Sequence, residues 1–473
     1  MEVHVSLVGR KDLTGEIYRQ LRRAILDGRL PPGGRLPPTR ELARRLNVSR
    51  TTVTVAYDRL TGEGFITSRV GAGTFVSDDV AGPGGPARPA GGALRPRPLW
   101  EAVAVPTVFD KPARFNFRTG IPDATLFPYQ SWRRLMARQL RPAAVGAGAY
   151  GDPAGHPGLR LAIARHIGLA RGVQAGAEGV VVTNGTQQAV DLVARVLLAP
   201  GDRVAVESPG YGPPRRLLAS LGAKVAGVPV DDQGLVVEAI PPRTRLVYVT
   251  PSHQFPLGVA MSLPRRLALL AWAERHDAAV VEDDYDSEFR YGGRPIEPLQ
   301  TLDPSGRVIY VGSFSKTLLA TLRLGFLVAP GSLVGAVRSA KYLADWHTSL
   351  PVQAALADFI DQGLFARHLR RMRAVYQQRH QLIVEALDDR FADHLKPVPS
   401  AAGLHVAATT PNLTHEELQA VLGRASAAGV ALQPLSMFDV GPPGQPGVVL
   451  GYGAIATADI AEGLDRLRRC FDG

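Results

Sequence analysis

The chain has 473 residues, too many for one ordinary domain, and its 45% hydrophobic and 21% charged residues describe a core-forming globular protein and exclude a disordered one. A single cysteine, Cys470, excludes an intrachain disulfide framework and a cysteine-built zinc site, and it suits a reducing compartment. The formal charge of +11 suggests nucleic acid or acidic ligands without choosing between them. The opening residues lack the sections of a signal peptide, and the most apolar helix-like run, Leu267 to Ala273, is too short to span a bilayer. A cytoplasmic protein without membrane contact is expected.

In chain order, Ile17, Leu21, Ala24 and Ile25 fall on one stripe and predict a helix from about Thr14 to Asp27, stopped by Pro31-Pro32-Gly33-Gly34. A second helix is expected from about Thr39 to Leu46. Ser49 is placed to cap a third, whose Val53, Ala56, Tyr57 and Leu60 share a face. Phe65 to Arg69 and Thr74 to Ser77 then read as short strands around Gly71-Ala72-Gly73. Two short helices joined at Asn47-Val48-Ser49 and followed by a hairpin have the pattern of a winged helix-turn-helix. The tip of its third helix, Ser49, Arg50, Thr51, Thr52 and Thr54, would lead into the major groove. Arginine suits guanine, threonines suit phosphates or thymine methyls, Arg40 is placed for a backbone phosphate, and the glycine turn lets the wing approach closely.

Asp79 to Pro98 is rich in Pro, Gly and Ala and reads as a semi-rigid linker that runs on to about residue 112. Residues 1–78 carry 13 Lys and Arg against 8 Asp and Glu, and residues 113–473 carry 37 against 32. The same excess of five is therefore concentrated in the small N-terminal part. Three segments are expected: 1–78, 79–112 and 113–473.

The last segment has a different rhythm. Apolar runs at Val180–Thr183, Val204–Glu207, Leu246–Thr250, Ala279–Glu282 and Val308–Gly312 alternate with helical patterns such as Gln187–Leu198 and Pro264–Glu274. That alternation predicts an α/β fold with a mainly parallel sheet covered on both faces. Three places there carry chemistry. The strand Val308–Gly312 leads into Ser313-Phe-Ser315-Lys316, with Arg323 seven residues on; a lysine can condense with an aldehyde, and serines with an arginine can hold a phosphate. Asp283, ending a buried strand, points into the crevice where such sheets bind ligands. At Asn184-Gly185-Thr186-Gln187 a strand turns into a helix whose N-terminus favours an anion.

The string from Leu21 to Val76, with Gly34-Arg35-Leu36-Pro37, Arg40-Glu41-Leu42-Ala43, Ser49-Arg50-Thr51-Thr52-Val53 and Gly73-Thr74-Phe75-Val76, resembles the DNA-binding domain of the GntR family of bacterial regulators. That resemblance implies that Arg40, Arg50, Thr51, Thr52, Thr54 and wing Gly71 contact double-stranded operator DNA. Residues 113–473 resemble fold-type I pyridoxal 5'-phosphate enzymes, specifically the class I aminotransferases. By that resemblance Lys316 is the Schiff-base lysine, Asp283 partners the pyridine nitrogen and Tyr285 the ring hydroxyl. Gly185, Thr186, Gln187, Ser313, Ser315 and Arg323 hold the phosphate, Tyr211 stacks on the ring, and Tyr150 reaches the phosphate of a neighbouring subunit.

There are departures. Phe255, within His253-Gln254-Phe255-Pro256-Leu257-Gly258, stands where those enzymes have an asparagine, with His253 or Gln254 as substitutes. The strand Gly447–Tyr452 has no arginine to grip a carboxylate, for which Arg215 or Arg216 is the alternative. A GntR-like reader, a linker and an aminotransferase-like domain in that order resemble the MocR subfamily of bacterial regulators, and Glu282-Asp-Asp-Tyr-Asp-Ser-Glu-Phe-Arg-Tyr291 and Ser315-Lys-Thr-Leu-Leu-Ala-Thr-Leu-Arg-Leu-Gly325 fit it. Ala320 and Leu257 deviate, at places more often proline and threonine or serine. The resemblance implies a head-to-tail homodimer and a regulator, not an enzyme. Such a regulator is expected to sense the cofactor, or an amine or amino-acid effector, by aldimine exchange at Lys316. A genuine aminotransferase with an accessory reader is the alternative.

Overall fold

The computed structural model describes residues 12–69, 72–78, 95–103, 113–145, 148–292 and 296–472, and the chain divides into two compact units, residues 1–105 and 106–473. No helix among the described residues is long and apolar enough to cross a membrane. Gly71, expected at the wing, lies outside the described residues.

In the small unit, helix α1 (Leu13–Leu26) starts at Asp12, whose carboxylate accepts from Gly15 N at 2.9 Å. Helix α2 (Thr39–Leu46) follows Pro38 and stops at Asn47, which takes the left-handed φ of 52° that turns the chain toward the next helix. Helix α3 (Arg50–Gly62) is capped by the Ser49 hydroxyl, 3.1 Å from Thr52 N. Strands β1 (Ile66–Arg69) and β2 (Gly73–Val76) pair antiparallel. Ile17, Leu21, Leu42, Val53, Leu60 and Val76 meet in one core with no more than 1% of any side chain exposed. Burying each such side chain contributes about 1.5–3 kcal/mol. The buried Tyr57 hydroxyl donates to Pro37 O at 2.8 Å and ties α3 to the segment before α2.

The stretch expected as an extended linker contains a short helix, Pro98–Ala102. Proline at the first helical position has its φ already set and needs no N–H partner, and the residues after it are good helix formers.

The large unit is built on an eight-stranded sheet. Its spatial order is Val180–Thr183, Gly325–Val328, Val308–Ser313, Ala279–Asp284, Thr244–Val249, Arg203–Ser208, Lys224–Asp231 and Gly234–Leu235. Neighbours from Val308–Ser313 through Lys224–Asp231 run parallel, whereas Gly325–Val328 is antiparallel to both strands beside it. The fold is the expected α/β architecture, with a mainly parallel sheet. The central strands read as continuous apolar runs because helices cover both faces, among them Thr186–Leu197 and Leu263–Arg275. A second, antiparallel sheet of Lys396–Pro397, His405–Thr409, Gly447–Gly451 and Gln433–Pro434 forms a separate core with the long helix Leu364–Arg390. The residues singled out for chemistry gather at the C-terminal ends of the parallel strands.

Candidate cofactor site and nucleic-acid interface

Lys316 follows the central strand Val308–Ser313, and its Nζ donates to the Gly120 carbonyl at 2.7 Å. Burial lowers its pKa, opposed by the nearby carboxyls of Asp286 and Asp283. A lysine so placed spends more of its time as the neutral, nucleophilic amine. On the adjacent strand Asp283 is fully buried and is pushed up to about 7, mainly by burial, while a hydrogen bond from the Tyr248 hydroxyl holds it down. Thr186 Oγ1 lies 3.5 Å from the other Asp283 oxygen. The Arg323 guanidinium donates to Asn184 O at 2.7 Å, and a Cβ on Gly185 would sit 3.1 Å from it. Gly185 has φ 85° directly before the helix Thr186–Leu197, so this turn brings bare backbone and a cation together at a helix N-terminus. Ser315 N donates to Ser313 Oγ at 3.1 Å, which sets the loop between strand and lysine.

The Tyr285 hydroxyl is 3.0 Å from His253 Nδ1, and the same nitrogen lies 3.0 Å from Asp286 Oδ2. His253 Nε2 faces Ser400 Oγ at 3.2 Å and His405 Nε2 faces Pro256 O at 3.0 Å, so the buried His253, Asp286 and His405 cluster already has hydrogen-bond partners. Gln254 is also engaged: its amide donates to Pro209 O and Phe255 O and accepts from Leu257 N. Phe255 is buried, with its ring edge-on to Tyr211 at 5.6 Å and to Tyr285 at 6.1 Å. An aromatic wall therefore occupies the position where an asparagine was expected. Arg215 donates to Asp439 O at 2.6 Å. Gln187 is exposed. Tyr150 is 75% exposed and stacks on Trp346 at 4.4 Å, so within one chain it is not brought to Lys316.

Three groups were missed in the sequence. Tyr248 lies inside an apolar strand and gives no sign of its partner. Gly120 acts only through its carbonyl. Glu207, fully buried and pushed up to about 7 by burial, bonds Thr250 through one carboxyl oxygen, and its other oxygen has no hydrogen-bond partner among the described residues. A charged residue inside the apolar run Val204–Glu207 was the available signal for the last.

In the small unit Arg40, Ser49, Arg50 and Thr51 are exposed, and Thr52 and Thr54 are half-buried. The Ser49 hydroxyl lies 2.8 Å from Thr52 Oγ1, and Thr54 Oγ1 donates to Arg50 O at 3.0 Å. These local bonds order the first turn of α3, and Arg50 is exposed at its N-terminal end.

The description "Bacterial regulatory proteins, gntR family" matches residues 13–76, and "Aminotransferase class I and II" matches residues 115–460. The probable rhizopine catabolism regulatory protein MocR of Rhizobium meliloti is 42% identical, over 96% of this chain and 93% of that one. The chain belongs to the MocR subfamily of gntR-family regulators. Another relative, the pyridoxine biosynthesis regulator PdxR of Corynebacterium glutamicum, is 32% identical over 93% of this chain and 91% of its own. Among solved structures, Pyrococcus horikoshii kynurenine aminotransferase, determined in complex with PMP, superposes with a TM-score of 0.71. It is 28% identical and covers 80% of this chain and 95% of its own. For a MocR-subfamily chain the aminotransferase fold implies dependence on pyridoxal phosphate, and the gntR-type domain implies DNA binding. The residues here suit the cofactor: a buried carboxyl for a ring nitrogen, a buried lysine for an aldehyde, and a glycine cradle beside Arg323 for a phosphate.

Proposed function

We propose that this chain is a transcription regulator that binds operator DNA through residues 1–78 and holds pyridoxal 5'-phosphate at Lys316 in residues 113–473, with residues 79–112 as the connection. When bound, the cofactor supplies an aldehyde that condenses with primary amines and a ring that accepts electron density. Lys316 provides the amine, whose pKa burial lowers. Asp283 receives the proton-bearing ring nitrogen, and Tyr285 faces the ring hydroxyl. Arg323, Ser313, Ser315 and the turn Gly185-Thr186-Gln187 bind the phosphate, and Tyr211 covers the ring. Tyr150 serves the site of a second subunit in a head-to-tail dimer. The observation that carries this reading is the convergence of a desolvated Lys316, the buried Asp283 and the Arg323–Gly185 cradle at the strand ends of one sheet.

A primary amine or amino acid that takes the place of Lys316 changes the charge and contacts of that site. The exchange moves the DNA-binding equilibrium only by its difference in affinity for the two states of the protein. The test is an absorption spectrum of cofactor-supplemented protein beside Lys316→Ala, followed by operator binding with and without candidate amines. The expected result is a visible band lost in the variant, and an operator affinity that responds to one amine. A colourless folded protein overturns the reading. Sustained conversion of an amino acid to its keto acid, abolished in Lys316→Ala, replaces it with an aminotransferase.

A further inference from the structure

Successive residues on a strand face opposite sides. Asp283 faces Tyr248 and Thr186, whereas Asp284 turns to the other side of the sheet, where Arg171 Nε donates to it at 2.8 Å and Tyr310 Oη at 2.6 Å. A cavity of about 370 Å³ opens there, within the size range of small-molecule sites. Its polar wall includes Arg290, Arg373, His166 and Glu288, and its apolar wall includes Phe314, Phe326 and Leu369. Ser313, whose hydroxyl sets the Ser315 amide, lies on the boundary between this cavity and the lysine loop.

The charges in this cavity do not balance. Arg171 and Asp284 neutralise one another at 2.8 Å, which leaves the single carboxylate of Glu288 against the two further arginines, Arg290 and Arg373. Neither Arg290 nor Arg373 makes an ion pair among the described residues, and the buried Arg290 Nε has no hydrogen-bond partner. A buried guanidinium donor left unpaired is costly, and oxyanions are its natural partners because their geometry matches the planar fork. The backbone of Arg290 is held in place by its bridge to Ala402, so the side chain has a fixed root.

We propose that this cavity is a second ligand site, for a small molecule that joins one carboxylate or phosphate to an apolar or aromatic body. Arg290 and Arg373 take the oxyanion, and Phe314, Phe326 and Leu369 take the body. The site stands apart from the one built around Lys316. Its occupant reaches that site through the Ser313 wall and through Asp284, next in sequence to Asp283.

Calorimetric titration of the full chain, saturated with pyridoxal phosphate, tests the proposal with benzoate and phenyl phosphate as probes. One probe is expected to bind once per chain, and which one binds tells a carboxylate site from a phosphate site. Arg290→Gln is expected to weaken that binding by about tenfold or more, the loss that accompanies one charge-assisted contact. Arg373→Gln, at an exposed position, is expected to weaken it as well and provides the check if the first variant folds poorly. The cofactor's own affinity is expected to stay unchanged in both. Failure of both probes to bind at millimolar concentration overturns the proposal. So does binding indifferent to both substitutions, or binding seen only in a parallel titration of the cofactor-free chain, which would put the probe in the Lys316 site.

Discussion

Replacing Asp283 by asparagine is expected to stabilise the cofactor-free protein while weakening its hold on the cofactor. The carboxyl is fully buried, and its folded-state pKa of about 7 lies above the ordinary 3.8 because burial penalises the charge. The sign follows from that order. Above about pH 7 the side chain is ionised in both folded and unfolded chains, and the burial penalty is present in full. As the pH falls through 7 the folded side chain takes up a proton that the unfolded one does not bind until near 4, so the penalty is relieved across that window. A shift of this size corresponds to roughly 4 kcal/mol at alkaline pH. Asparagine keeps an oxygen for the Tyr248 hydroxyl and carries no charge, so most of that amount should appear as added stability. Thermal denaturation of cofactor-free wild type and Asp283→Asn at about pH 8 and about pH 5.5 reads the effect. The variant is expected to melt several degrees higher at the first pH and by roughly half that margin at the second, because the penalty is relieved in full only near pH 4. Glu282, also near 7, acts alike in both proteins and cancels in the comparison, whereas Glu207, which the Asp283 charge helps to raise, is relieved a little in the variant and adds to the alkaline difference with the same sign. A variant that melts lower than wild type at the alkaline pH, or shows the same difference at both, would refute the burial argument. Cofactor titration supplies the counterpart: affinity should fall, because an amide cannot balance a protonated ring nitrogen.

Arg50→Ala should lower operator affinity roughly ten- to a hundredfold without changing the melting temperature, since the residue is exposed at the start of α3; unchanged affinity in a gel shift would contradict the placement of that helix in the groove. Gly185→Ala should weaken cofactor binding, because φ 85° strains any side chain by about 1–3 kcal/mol and the new Cβ would sit 3.1 Å from Arg323; equilibrium titration of the cofactor checks it. Arg379→Met should destabilise the large unit by about 3–5 kcal/mol in chemical denaturation. The buried guanidinium donates to Asp123 at 2.6 Å, to Thr457 Oγ1 at 3.0 Å and to the Tyr452 and Gly453 carbonyls at 3.2 and 2.9 Å, and all four partners would be left behind.

What could be read in advance follows from how far apart in the chain the partners lie. The stripe of Ile17, Leu21, Ala24 and Ile25 and the Ser49 cap are local, and the helices they predict differ from those observed by a residue or two. The central strands were legible because burial on both faces removes polar residues from them, which also made Asp283 conspicuous. The antiparallel sheet was largely missed, since two of its strands are two residues long and carry no period. Tyr248 and Asp283 are 35 residues apart, and Gly120 and Lys316 are 196 apart. No pattern in the chain announces such pairs, because a tyrosine on a buried strand is equally at home as a hydrophobe until the neighbouring strand supplies its acid. Cys470 illustrates the converse. It was conspicuous as the only cysteine, yet the structure buries it in the helix Ile460–Asp472, where burial pushes its thiol pKa up and its sulfur faces the Arg466 carbonyl at 3.3 Å. A thiol kept protonated in an apolar core is a poor nucleophile, so its rarity reflects packing. At the candidate site the same burial acts on Lys316 in the opposite chemical sense, since an amine that loses its proton becomes the nucleophile.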